Sequence, residues 1–250
     1  MVGLEGFADP AQLASFPHDF ARIGAAGRIL ALLRQAGAQD LVLVGPIRRP
    51  SLLDLRPDAD GARLLGRIGR AAFAGDDGLL AAVIRVLGEE GFRVLGAHEV
   101  LREALVPPGL LTRTAPDAAA MADIARGIAV TLALGRVDVG QGCVVQQGLV
   151  LAVEAIEGTD AMLARAGSLR RDGPGGVLVK LVKPGQDRRA DLPTIGLTTV
   201  HGAAAAGLAG IAFDAGGTLF AERADAIAEA DARGLFLLGL GPDDIDREKT

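Results

Sequence analysis

The chain has 250 residues, half of them apolar and 23% charged, enough for one large or two small globular domains. A net charge of −5 excludes coating nucleic acid by bulk positive charge, and eight Phe with no Tyr or Trp leave little to stack bases on. One cysteine, Cys143, excludes an internal disulfide framework and fits a reducing compartment.

The opening MVGLEGFADP lacks the basic and apolar regions of a secretory signal, and no run reaches the roughly 18 apolar residues of a membrane helix. Helical spacing of apolar residues over Phe20 to Gln35 predicts a helix, stopped by Gly37. Asp40 to Gly45 is a short apolar run of the kind that forms a buried parallel strand. Helices are predicted from Asp58 to Phe73 and from Gly75-Asp76-Asp77 to Gly91, then a strand over Phe92 to Ala97. This alternation predicts a Rossmann-like, doubly wound α/β unit.

Pro107-Pro108-Gly109 and Thr114 to Asp117 punctuate a loop, placing a boundary near residue 110, between domains 1–110 and 111–250. A helix over Asp117 to Leu134 leads into a mixed α/β second half, with Asp117 as N-cap. Strands are expected at Cys143–Gln147, Leu149–Val153, Val177–Lys183, Ile211–Phe213 and Leu235–Leu240. Helices are expected from Gly158, after Ile195 and over Ala224 to Arg233. The tail from Pro242 reads as polar and frayed.

Familiar catalytic signatures are missing. No glycine-rich run ends in Gly-Lys-Ser/Thr, Gly140-Gln-Gly142 lacks the third glycine of a dinucleotide turn, and no serine sits between glycines. His18, His98 and His201 do not have zinc-ligand spacing. Phe213-Asp-Ala-Gly-Gly-Thr-Leu-Phe220 approaches an aspartyl-phosphatase loop, but Gly216 replaces the general acid, and a Gly-Gly turn between strands is the plainer reading.

Three polar clusters carry more chemistry. Asp76-Asp77 either caps a helix or holds Mg²⁺ through oxygen ligands. Glu154-Ala-Ile-Glu157-Gly-Thr-Asp160 leaves a buried strand and turns into a helix, where backbone amides and the Thr159 hydroxyl suit a phosphate; N-capping by Thr159 or Asp160 is the alternative. Lys180 and Lys183 are two of only three lysines in an arginine-based chain, and a loop holding Asp191 and Thr194 follows them. Compact ammonium charges suit a diphosphate, a solvated charge run being the alternative. Side chains alternate along a strand, so both lysines face one way only if the strand ends between them. The clusters together favour a phosphorylated ligand and metal-assisted hydrolysis or transfer.

Gly75-Asp-Asp-Gly-Leu-Leu80, Gly91 to Val100, Met121-Ala-Asp-Ile124 and Asp138-Val-Gly-Gln-Gly142 come in order, as do Gln147 to Met162, Lys180-Leu-Val-Lys-Pro184 and Asp191-Leu-Pro-Thr-Ile-Gly196. This series, spanning essentially the whole chain, resembles the UDP-2,3-diacylglucosamine pyrophosphatases of lipid A biosynthesis, the type unrelated to calcineurin-like metallophosphoesterases. The resemblance implies water attack on the α-phosphorus with Mg²⁺, releasing UMP and 2,3-diacylglucosamine 1-phosphate (lipid X). It implies an N-terminal Rossmann-like domain and a C-terminal catalytic one, with the lipid between them. It also implies a cytoplasmic protein of a Gram-negative bacterium, transient contact with the inner face of the inner membrane, a homodimer and no nucleic-acid partner. Asp191 carries over as catalytic and metal-associated. By chemistry and motif retention, Glu157 and Asp160 join the metal, and Thr159, Lys180, Lys183, Gln147, Thr194, Asp76 and Asp77 contact substrate. The family's opening strand and Gly-Leu-Ile-Ala-Gly-x-Gly turn have no counterpart at Met1, so the N-terminal domain is expected to be truncated at its start. A protein that binds the sugar nucleotide or lipid X without turnover is the competing expectation.

Overall fold

The computed structural model describes residues 1–45, 47, 55–69, 76–189 and 191–247. The chain divides into two compact units, Met1–Ala97 and His98–Thr250. Residues 98–110, assigned to the first domain on sequence, fall in the second unit. There Val106 joins the core and Gly109–Leu110 pair with the last strand.

In the first unit, Val2–Leu4 (β1) pairs in parallel with Asp19–Ala21 (β2), and Asp40–Val42 (β3) pairs in parallel with Arg93–Leu95 (β4). Among the described residues these are two separate pairs. The helix expected from Phe20 starts later, at Ala26 (α1, Ala26–Gln35), because Phe20 and Ala21 are taken up by β2. Parallel pairing needs crossover connections, and helices Ala59–Ile68 (α2) and Asp76–Glu89 (α3) lie between β3 and β4. Asp58 caps α2 by accepting the Gly61 N–H at 2.6 Å, and it also accepts the Gly27 N–H of α1 at 3.0 Å. One carboxylate thus ties two helix starts together.

The second unit is built on a six-stranded mixed sheet. Its strands are Gly109–Leu110 (β5), Gly142–Gln146 (β6), Leu149–Val153 (β7), Val177–Lys180 (β8), Gly210–Asp214 (β10) and Phe236–Leu240 (β12), in the order β5-β12-β10-β8-β6-β7. The central strands β8, β10 and β12 run parallel, and β5, β6 and β7 each pair antiparallel. A small parallel pair, Thr194–Ile195 (β9) with Leu219–Phe220 (β11), stands outside the sheet. The Gly-Gly segment 213–220 is the turn leaving β10, with Gly216 at φ +71°.

Period-two alternation divides the sheet into two buried faces. Val144, Leu178, Ile211, Phe213 and Leu237 pack with helices Gly158–Ser168 (α5), Leu197–Ala205 (α6) and Arg223–Arg233 (α7). Cys143, Val145, Val177, Val179, Ala212 and Phe236 pack against Ala118–Arg136 (α4). Helix α4 has the length and hydropathy to cross a membrane, which corrects the expectation that no segment does. In this fold its Ala120, Ile124, Ile128 and Leu132 cover the sheet instead.

Candidate functional site

Strand β8 ends at Lys180, two residues after Leu178, so Lys180 belongs to the face that carries α5, α6 and α7. The strand therefore stops between the two lysines, which meets the condition for both to serve one site. Two strands over, beyond β6, the edge strand β7 delivers Glu154 one residue past Val153, and a turn through Gly158, at φ +80°, opens α5 and places Thr159 in its first turn. A Cβ at Gly140 would collide with the Glu154 carbonyl, so that glycine lets the end of β7 close on the β6 entry.

The groups so gathered form one hydrogen-bonded chain. Lys180 Nζ donates to Thr159 Oγ1 at 2.6 Å, and the Thr159 hydroxyl donates to Glu154 Oε1 at 2.6 Å. Lys180 Nζ also donates to the Thr194 carbonyl at 3.4 Å and lies 3.8 Å from Glu154 Oε1. Both charged side chains are more than nine-tenths buried. Beyond the strand, Lys183 Nζ donates to Asp138 Oδ1 at 2.7 Å. The Lys183 backbone N–H needs an acceptor and finds Gln186 Oε1 at 3.0 Å. That orients the amide so that Gln186 Nε2 donates to Asp191 Oδ2 at 3.0 Å. Asp191 thus sits electrostatically among Lys183, Lys180 and Glu154. Burial pushes its carboxyl above the usual aspartate range and the Glu154 charge adds to this, while the lysine charges and the Gln186 hydrogen bond act in the opposite direction.

A cavity of about 420 Å³ adjoins this cluster, sharing Thr159 and Thr194 with it. The start of three helices lines it: Gly158 to Asp160 of α5, Leu197 to Thr199 of α6 and Glu222 ahead of α7. Helix starts present unpaired amides and favour negative charge. Carboxyls of Glu157, Asp160 and Glu222 share the wall, so the lining is mixed and suits an anion carrying its own cation or hydroxyls.

Lys180, Lys183, Thr159, Thr194 and Asp191 are brought together. Gln147 is not. It opens the β6–β7 turn at φ +54°, beyond the end of β6 that pairs with Val177, whereas Lys180 pairs with Gly142 at the other end. Its N–H donates to Asp123 Oδ2 at 2.9 Å and its amide donates to the Asp172 carbonyl, which makes it a turn residue. Glu157 is engaged by Arg165 at 2.6 Å, and Asp160 is exposed in the first turn of α5. Among the described residues no three His, Cys, Asp or Glu side chains gather to hold a metal, so Asp191, Glu157 and Asp160 do not form the joint ligand set expected of them. Asp76 and Asp77 start α3 in the first unit, and their side chains lie outside the described residues.

Three members of the cluster had no assigned role on sequence. Glu154 and Gln186 lay inside the second and third polar clusters, and Asp138 inside a quoted motif, each without a function of its own. No local signal marks Asp138, which meets Lys183 across 45 residues of chain.

Residues 1–104 match the LpxI N-terminal domain and residues 107–238 match the LpxI C-terminal domain. A curated protein of Caulobacter vibrioides, named UDP-2,3-diacylglucosamine pyrophosphatase LpxI, is 46% identical over 248 residues, covering 97% of this chain and 88% of that protein. With both domains matched in order and the lysine–aspartate cluster assembled in the second, the chain belongs to the LpxI family.

Proposed function

We propose that the protein hydrolyses UDP-2,3-diacylglucosamine, a reaction of lipid A biosynthesis, by water attack on the α-phosphorus, releasing UMP and 2,3-diacylglucosamine 1-phosphate. The observation that carries this reading is the convergence of two scarce lysines on Asp191, a carboxyl made more basic by burial. Lys180 and Lys183 offset the charge of a diphosphate, and preorganised ammonium groups do so most effectively in a site that excludes water. Asp191 is the group to orient the attacking water and accept its proton, since a general base works best when its pKa rises toward the working pH. The proton passes to Asp191, the bond from the α-phosphorus to the bridging oxygen breaks, and the leaving 1-phosphate keeps that oxygen.

The donor set around Asp191 fits a hard divalent cation sparingly. Mg²⁺ usually takes one or two protein carboxylates together with phosphate oxygens and water. Asp191 would hold it here, with the substrate's own diphosphate supplying other ligands. Such an ion would contribute charge neutralisation at the reacting phosphate.

The test is UMP release from UDP-2,3-diacylglucosamine by the whole chain, with Mg²⁺ and with chelator. Release that stops with chelator is the expected result. Tight binding of lipid X with no release of UMP would replace hydrolysis by the binding function. A cytoplasmic location with transient contact at the inner membrane goes with this reading, since the substrate carries acyl chains, and flotation with diacylglycolipid vesicles tests the contact.

A further inference from the structure

Glu154 is a buried charge without a task in the hydrolysis just described. Its Oε1 accepts from the Thr159 hydroxyl at 2.6 Å, while Oε2 is buried without a hydrogen-bond partner among the described residues. A carboxylate is a costly group to enclose in this way, and a nearby cation must compensate for it. The cation is Lys180, reached through Thr159. A hydroxyl has one proton, and Thr159 gives it to Glu154, so the oxygen turns its lone pairs to Lys180. The chain therefore has one direction, ammonium to hydroxyl to carboxylate. The Thr194 carbonyl takes a second ammonium proton, on the same loop that carries Asp191. Two of the three donors of Lys180 are thereby committed, and the third has no hydrogen-bond acceptor among the described residues.

We propose that Glu154 is a positioning residue: through Thr159 it fixes the four-carbon arm of Lys180 so that the remaining N–H meets the substrate's diphosphate beside Asp191. This inference rests on the hydrolytic reading. Lysine side chains lose much rotamer freedom when held, so an ammonium set in place before substrate arrives needs no reorganisation during reaction.

The variants are Glu154→Gln, which removes the charge and keeps the shape, Thr159→Val, which removes the hydroxyl, and Thr159→Ser, which restores it. Two readouts separate positioning from general stability. The first is kcat and KM for UMP release. Loss of one preorganised donor predicts a fall in kcat of about 10- to 100-fold in Glu154→Gln and Thr159→Val. KM stays within about threefold, since ground-state binding is little changed, and Thr159→Ser recovers most of kcat. The second is NMR of the side-chain ammonium nitrogens in protein made with isotope-labelled lysine. Lys180, Lys183 and Lys249 are the only lysines, so the spectrum is simple. The Lys180 signal should move in Glu154→Gln and Thr159→Val and stay in place in Thr159→Ser. A folded Glu154→Gln protein with wild-type kcat, or with an unmoved Lys180 signal, overturns the proposal. If Glu154→Gln does not fold, the Thr159→Val and Thr159→Ser pair decides by the same two readouts. A wild-type chain that releases no UMP overturns the hydrolytic reading alone, and the NMR signal still decides the relay.

Discussion

Burial raises the Asp191 carboxyl above its ordinary value of 3.8, against the pull of two lysines. Between that value and the raised one, the folded state holds more protons than the unfolded chain. Stability from this group is therefore greatest at low pH and falls as pH rises through the window. At neutral pH the ionised carboxylate is a load on the fold, kept in a site where a basic group is useful. Asp191→Asn should therefore cut kcat by about 100-fold or more while leaving Tm at pH 7 unchanged or higher. A Tm that drops by several degrees in calorimetry would show that the lysines, and not burial, dominate. In the wild type, kcat/KM should rise with pH on the acid limb with an apparent pKa above 3.8, and that limb should vanish in Asp191→Asn.

At the scale of elements, single carboxylates fasten structures that short strands could not hold alone. Buried Asp123 on α4 accepts the N–H groups of Gln147 and Gly148 at 2.9 and 2.6 Å, pinning the β6–β7 turn, whose residues take φ +54° and +77°. Hydrogen bonds to a charged group contribute about 1.5–3 kcal/mol, so Asp123→Ala should destabilise the second unit by about 2 kcal/mol. For a unit of this size that lowers Tm by about 4–8 °C, with amide exchange quickening first in β7. In the first unit the Gly61 N–H, with those of Gly27 and Arg28, holds the Asp58 carboxyl below its usual value. A lowered pKa contributes stability above 3.8 that is lost as pH falls through the folded value. Asp58→Ala should cost about 0.5–2 kcal/mol as a lost cap, and most of that penalty should disappear in strongly acidic buffer when measured by denaturant titration.

For the molecule as a whole, the second unit's sheet is covered on both faces, and its inner strands β6, β8, β10 and β12 are almost wholly buried, while the edge strands β5 and β7 are partly exposed. Cys143, on β6, has no exposed surface, and burial pushes its thiol up to about 11. It should resist a thiol reagent in the native protein and react only as the sheet opens, so its labelling rate under rising denaturant reports unfolding of the second unit. Fast labelling in native buffer would mean that the sheet opens locally at β6.

Short apolar runs over 143–147, 149–153, 177–183, 211–213 and 235–240 marked five of the six strands of the second unit's sheet from sequence alone, because a short run bounded by glycine and polar residues is written locally. The N-cap Asp117 was legible in the same way, its side chain reaching the Ala120 amide three residues away. The lysine scarcity and the Asp191 loop were equally legible, since residue type and charge need no fold to be seen. The tertiary structure decided the rest. It took Phe20 and Ala21 into a strand, because pairing with Val2–Leu4 outweighed their helical spacing. It sent Gln147 to the far end of β6, since an antiparallel register carries a turn away from the strand end it follows. It joined Asp138 to Lys183 and Glu154 to Lys180 across 45 and 26 residues of chain, contacts that exist only once the sheet brings distant segments to one edge.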